Sequence, residues 1–192
     1  MFLLSCGLFF FLGVHSLRML APNWRMKLIQ KCGSSIWKAA FSVVSLLGFA
    51  LLCWAYGQAR QQAAVLWSLP QGMRHLTVLL MLVSWVLLLA AYVPGNSIKA
   101  RVHHPMLLSV QVWALAHLLA NGGSAQLLLF GSFLLWSVAS FVSLRQDDRA
   151  AGTVYRRGSL FSTLLTLVLG VSVWAGFSIY LHKLLIGVPV LG

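Results

Sequence analysis

The chain has 192 residues, of which 60% are hydrophobic and only 8% charged, against about 25% charged in a soluble domain. That composition excludes a soluble globular enzyme and predicts a polytopic membrane protein. Fourteen lysines and arginines face two acids, a balance that suggests nucleic acid in a soluble protein. Here the cations fall in the gaps between apolar runs, where they orient a membrane protein, so no nucleic-acid partner is expected.

Six apolar runs of spanning length succeed one another: Met1 to about Leu20, Ile36 to Tyr56, Leu76 to Val93, Met106 to Ala120, Gln126 to Leu144 and Leu160 to Leu181. The expected fold is therefore all-α, a six-helix membrane bundle forming one domain over residues 1–192. In the first run, Leu3-Leu4-Ser5-Cys6 faintly resembles a lipoprotein cleavage box but lacks a basic n-region, so the run reads as a retained helix. The fourth run is short, about fifteen residues where a full span needs roughly 20. Pro105 suits its first turn, where the missing N–H lacks an intrahelical partner anyway. Asn121, Gly122 and Gly123 supply residues that accept left-handed backbone angles and end it. Inside it, Gln111 and His117 must face other helices.

With the first residue outside, eleven cations lie in inner connections (Arg18 to Lys38, then Lys99 and Arg101, then Arg145 to Arg157) and three in outer ones (Arg60, Arg74 and Lys183). This bias predicts an N-out, C-out topology. The acids Asp147 and Asp148 sit in the last basic connection and read as a solvated turn rather than a catalytic dyad. The longest connection, about Gly57 to His75, contains Pro70 and Gly72 and is too short for an extramembrane domain. Gly13, Gly48, Gly131, Gly170 and Gly176 fall inside helices, where glycine lets neighbours approach closely. Trp24, Trp37 and Trp67 lie near predicted interfaces, whereas Trp85, Trp113, Trp136 and Trp174 are deeper and suit an apolar pocket. Cys6, Cys32 and Cys53 form no metal or redox motif.

Six histidines in a chain with two acids single out imidazole chemistry. In F-L-G-V-H-S-L-R, His15 and Arg18 lie about one turn apart. Two readings stay open: an iron ligand beside a cation that pairs a haem propionate, or a helix-packing histidine beside a snorkelling arginine.

The blocks F-L-G-V-H-S-L-R, H-P-M-L, W-A-L-A-H-L-L-A-N-G and H-K-L-L-I-G-V, which span nearly the whole chain, resemble the NnrU family. These are bacterial integral membrane proteins associated with nitrite and nitric oxide reduction in denitrification, and they are similar to 15-cis-zeta-carotene isomerases, which use histidine-held haem b. Carried over position by position, the resemblance marks His15, His104 and His117, and implies haem b with His15 and His117 as iron ligands. The chain departs from the pattern at His103, where arginine is expected, at Ala114, where the isomerases carry cysteine, and at Val188-Pro189, where Ser-Pro is usual.

The predicted topology sets that ligand pair about 18 Å apart in depth within a core of about 30 Å. By depth, His15 groups with His103 and His104, and His117 with His75 and His182. The pairs considered are therefore His15 with His117 first, and His15 with His104 second. The resemblance implies a multi-pass protein of the bacterial inner membrane that binds haem b and serves nitrite or nitric oxide respiration. Two alternatives are a haem-dependent isomerase of a lipid-soluble polyene and a cofactor-free assembly factor for a respiratory reductase. The expected partners are the lipid bilayer, a respiratory reductase or a lipid-soluble substrate.

Overall fold

A computed structural model describes residues 1–68 and 73–190 of the protein. Pro70 and Gly72 of the long connection, and the C-terminal Gly192, lie outside the described residues. Helix dominates, as the apolar runs require: with no water in hydrocarbon, each backbone N–H and C=O must be satisfied within its own segment. Among the described residues, five helices are long and apolar enough to cross a membrane, and a sixth, Pro105–Ala120, is apolar but shorter. Large apolar side chains such as Phe9, Leu135 and Phe161 are exposed, as expected of surfaces that meet lipid.

The chain forms two compact units, with the division falling inside one helix between Trp136 and Ser137. The first unit contains α1 (Phe2–Leu20), α2 (Pro22–Cys32), α3 (Ser34–Ala59) and the first half of α7 (Ser124–Ala150). α1 packs against α3 through small residues. A Cβ on Gly7 would lie 3.1 Å from the Leu52 Cα, and one on Gly48 would lie 3.4 Å from the Phe11 Cα. Close backbone approach of this kind supplies the van der Waals contact that holds helices together in lipid. Gly13 meets nothing within 4 Å, so the expectation of close approach holds at Gly48 and not there.

Gly122 is required for a reason other than the expected one. Neither Asn121, Gly122 nor Gly123 adopts a positive φ. Instead the extended segment after α3 runs against Gly122: Leu66 donates its N–H to the Gly122 carbonyl at 2.7 Å, and a Cβ on Gly122 would fall 1.8 Å from the Trp67 carbonyl oxygen.

The second unit contains α4 (Met73–Tyr92), α5 (Ser97–Val102), α6 (Pro105–Ala120), the second half of α7, α8 (Leu160–Gly176), a π-turn at Phe177–Leu181 and α9 (His182–Ile186). α4 packs against both α6 and α8. On the α6 side, Ser84 and Ser109 exchange bonds: each hydroxyl donates to the other's carbonyl, at 2.9 and 2.8 Å. On the α8 side, a Cβ on Gly170 would stand 2.9 Å from the Val86 Cα. Gln111 donates to the Ser137 carbonyl at 3.2 Å, which satisfies the polar group expected to face a neighbouring helix. Asn96, 1% exposed, caps α5 by accepting from the Lys99 N–H and donates to the Ala90 and Val93 carbonyls.

α7 has 27 residues, about 40 Å of helix, more than a hydrocarbon core of about 30 Å accommodates. Its apolar part ends at Leu144, and the turn and a half from Arg145 to Ala150 carries two arginines and both acids. That polar end lies beyond the spanning segment.

Candidate functional site

His15 stands on α1 four residues after Phe11, and its Nδ1–H donates to the Phe11 carbonyl at 2.7 Å. A carbonyl only accepts, so the proton sits on Nδ1 and the lone pair on Nε2. Backbone bonding of one ring nitrogen is the usual way a protein orients an imidazole whose other nitrogen binds a metal. Aromatic rings surround it: Phe11 at 4.4 Å, Phe41 at 5.1 Å and Trp136 at 6.1 Å between centroids. The indole N–H of Trp136 is buried with no hydrogen-bond partner, an orphaned donor beside the imidazole.

His15 lines a half-open cavity of about 420 Å³ between α1, α2 and α3, within the roughly 300–1,000 Å³ of small-molecule sites. Val14, Leu17, Ile29, Trp37 and Phe41 form apolar walls, and Arg18, Arg25 and Lys38 bring three cations to the same space. No acid lines it. The Arg25 guanidinium lies over the Trp37 ring, 5.9 Å from its centroid. Arg18 was expected here from its spacing to His15. Arg25 and Lys38 read in the sequence only as topology charges, because nothing local shows that α2 folds back beside α1.

The second unit carries a different constellation, at the polar end of α7. Asp148 accepts from His104 Nε2 at 2.9 Å and from the Tyr155 hydroxyl at 2.9 Å, both on Oδ2. His103 stacks on Tyr155 with centroids 4.0 Å apart, hydrogen-bonds Arg145 and lies 3.8 Å from the same carboxylate oxygen. Its φ of 68° is the one positive value on a non-glycine residue among those described. The expected solvated turn is therefore corrected: Asp148 is a hub with 17% of its side chain exposed, joining the α5–α6 turn to the α7–α8 connection. Desolvation draws its carboxyl up, but the hydrogen bonds from Tyr155 and His104 and the neighbouring imidazole charges outweigh this and hold it below the ordinary carboxylate range. Burial and the Asp148 charge push the Tyr155 phenol up.

Of the marked histidines, His15 thus belongs to the first unit, and His104 and His117 to the second. His104 and His117 stand at opposite ends of α6, about 20 Å apart along its axis. The Nε2 of His104 is committed to Asp148. His117 Nδ1 donates to the Trp113 carbonyl at 2.9 Å, as His15 does to Phe11, and its ring lies 5.3 Å from that of Trp113. Among the described residues, no cluster of three or more His, Cys, Asp or Glu side chains is placed to hold a metal ion by itself.

The family described as "NnrU protein" matches residues 3–190, nearly the whole chain and both units. The chain belongs to the NnrU family. Comparison with curated proteins and with solved structures gave no match.

Proposed function

We propose that this NnrU-family protein binds haem b in the cavity between α1, α2 and α3, where His15 would hold the iron, and that it serves nitrite or nitric oxide respiration in the bacterial inner membrane. The observation that carries the proposal is the lone pair on His15 Nε2, fixed by the Phe11 carbonyl, in an apolar cavity that also gathers three cations and no acid. The donor set fits the group: haem b asks for a neutral imidazole, apolar walls for the macrocycle and cations near two propionates.

Bound haem would supply an iron able to take nitric oxide or nitrite and change its redox state. The chain's own contributions follow from the geometry. The Phe11 carbonyl fixes the tautomer and plane of His15. Phe11, Phe41 and Trp136 pack their rings around the imidazole and restrict its motion. Arg18, Arg25 and Lys38 would pair with the propionates of a bound haem. The role in respiration rests on the family, and the topology we propose with it is N-out, C-out, from the distribution of loop cations.

Purification in detergent after growth with ample iron and haem precursor tests this reading. A Soret band in the absorption spectrum is the expected result, whereas a colourless, folded protein would return the reading to a cofactor-free assembly factor.

A further inference from the structure

The cavity uses one side of α2 and leaves the other unexplained. On a helix advancing about 100° per residue, Arg25 and Ile29 fall on one side, and Lys27 and Lys31 fall about 200° away from them. Arg25 and Ile29 line the cavity, while Lys27, Gln30 and Lys31 are exposed. Trp24 and Met26 flank this outward side, 52% and 48% exposed.

α2 is not a span. Its 11 residues extend about 16 Å, half the thickness of the hydrocarbon core. It is set off from both neighbouring spans by backbone breaks, at Ala21 (φ −140°, ψ 54°) and at Gly33 (φ 84°, ψ 155°). A short helix with cations on one side and Trp and Met at its flanks, joining two membrane-crossing helices at one end of the bundle, has the composition of a helix lying in the membrane interface. The first unit holds no carboxylate side chain, since both acids are in the second. Lys27 and Lys31 therefore find no acidic side chain within their own unit, and their charge complements an anionic surface.

We propose that the outward face of α2 binds the headgroup phosphates of anionic phospholipids, with Lys27 and Lys31 as the charges and Trp24 and Met26 set against the upper acyl chains. Because the opposite face carries Arg25 and Ile29, headgroup contact would also hold α2 against the His15 cavity. The proposal does not depend on what that cavity contains.

Amide hydrogen exchange of Pro22–Cys32, measured in nanodiscs of phosphatidylcholine with and without phosphatidylglycerol, tests it. Two cations at on the order of 1 kcal/mol each near an anionic surface should slow exchange in α2 roughly thirtyfold when phosphatidylglycerol is present, and high salt should remove the effect. Lys27→Gln with Lys31→Gln should abolish the lipid dependence, and Lys183→Gln should leave it intact. Equal exchange of the unsubstituted protein in the two lipids would overturn the proposal, as would a lipid dependence that survives both lysine substitutions. The comparison of lipids on the unsubstituted chain decides the matter even if the double variant fails to insert.

Discussion

His104 donates to Asp148 at 2.9 Å across 44 residues of chain, a contact that ties the start of α6 to the end of α7. Tyr155 reaches the same carboxylate oxygen from the following connection. One of the chain's two acids thus fastens three segments at one end of the second unit.

The first prediction concerns this hub. Asp148→Asn should lower the melting temperature of the detergent-solubilised protein, because an amide there loses the charge that His104 and Tyr155 are arranged to meet. Asp147→Asn, at an exposed neighbouring position, should have the smaller effect. Equal melting temperatures for the two variants would show that the cluster contributes nothing to the fold.

The pH dependence has a definite sign. A carboxyl held low in the folded state contributes stability that is complete above its unfolded value, about 3.9, and is lost as the pH falls through the folded value. Thermal stability should therefore decline in acid, and Tyr155→Phe should make that decline smaller, because without the phenol's hydrogen bond the folded Asp148 carboxyl lies closer to its unfolded value. Melting curves recorded between neutral pH and pH 3 measure both, and identical curves for the two proteins would remove Tyr155 from the cluster.

Much of this architecture was legible in the sequence, and the parts that were not have physical causes. The apolar runs located the long helices, because a span needs a continuous apolar stretch, but α7 runs on past the expected Leu144 to Ala150 through mostly polar residues. α2 was not visible: its polar residues look like a loop, and its helical form shows only when it lies beside α1 and α3. The Asp148 cluster was invisible for a related reason, since His104, Asp148 and Tyr155 are gathered by tertiary packing and no local pattern marks them. His15 and Arg18 were legible because one helical turn brings them together, whereas Arg25 and Lys38 join them only through folding.

Two glycines give a direct contrast. Gly122→Ala places a methyl 1.8 Å from the Trp67 carbonyl oxygen, a backbone atom that no rotamer change can move, so this variant should lose several kcal/mol or fail to accumulate. Gly13→Ala meets nothing within 4 Å and should be neutral or gain up to about 1 kcal/mol from helix propensity. Yield and melting temperature of the two variants, measured side by side, would contradict this account if their order were reversed.

Between α4 and α6, the Ser84 and Ser109 hydroxyls each donate to the other residue's carbonyl. Interhelical hydrogen bonds in membranes contribute about 0.6 kcal/mol on average and up to about 1.7. A double-mutant cycle with Ser84→Ala and Ser109→Ala should show a coupling in that range, and a coupling of zero would reduce the pair to packing.

The haem reading stands or falls on His15, and the absorption spectrum of His15→Gly tests it most directly. The unsubstituted protein should show a Soret band. His15→Gly should lose it or shift it to a lower coordination state, and added imidazole should restore it by filling the space left by the side chain, which a merely misfolded variant could not do. His117→Ala and His104→Ala, recorded alongside, identify any second ligand. An unchanged spectrum in His15→Gly, with the haem still bound, would contradict the central claim.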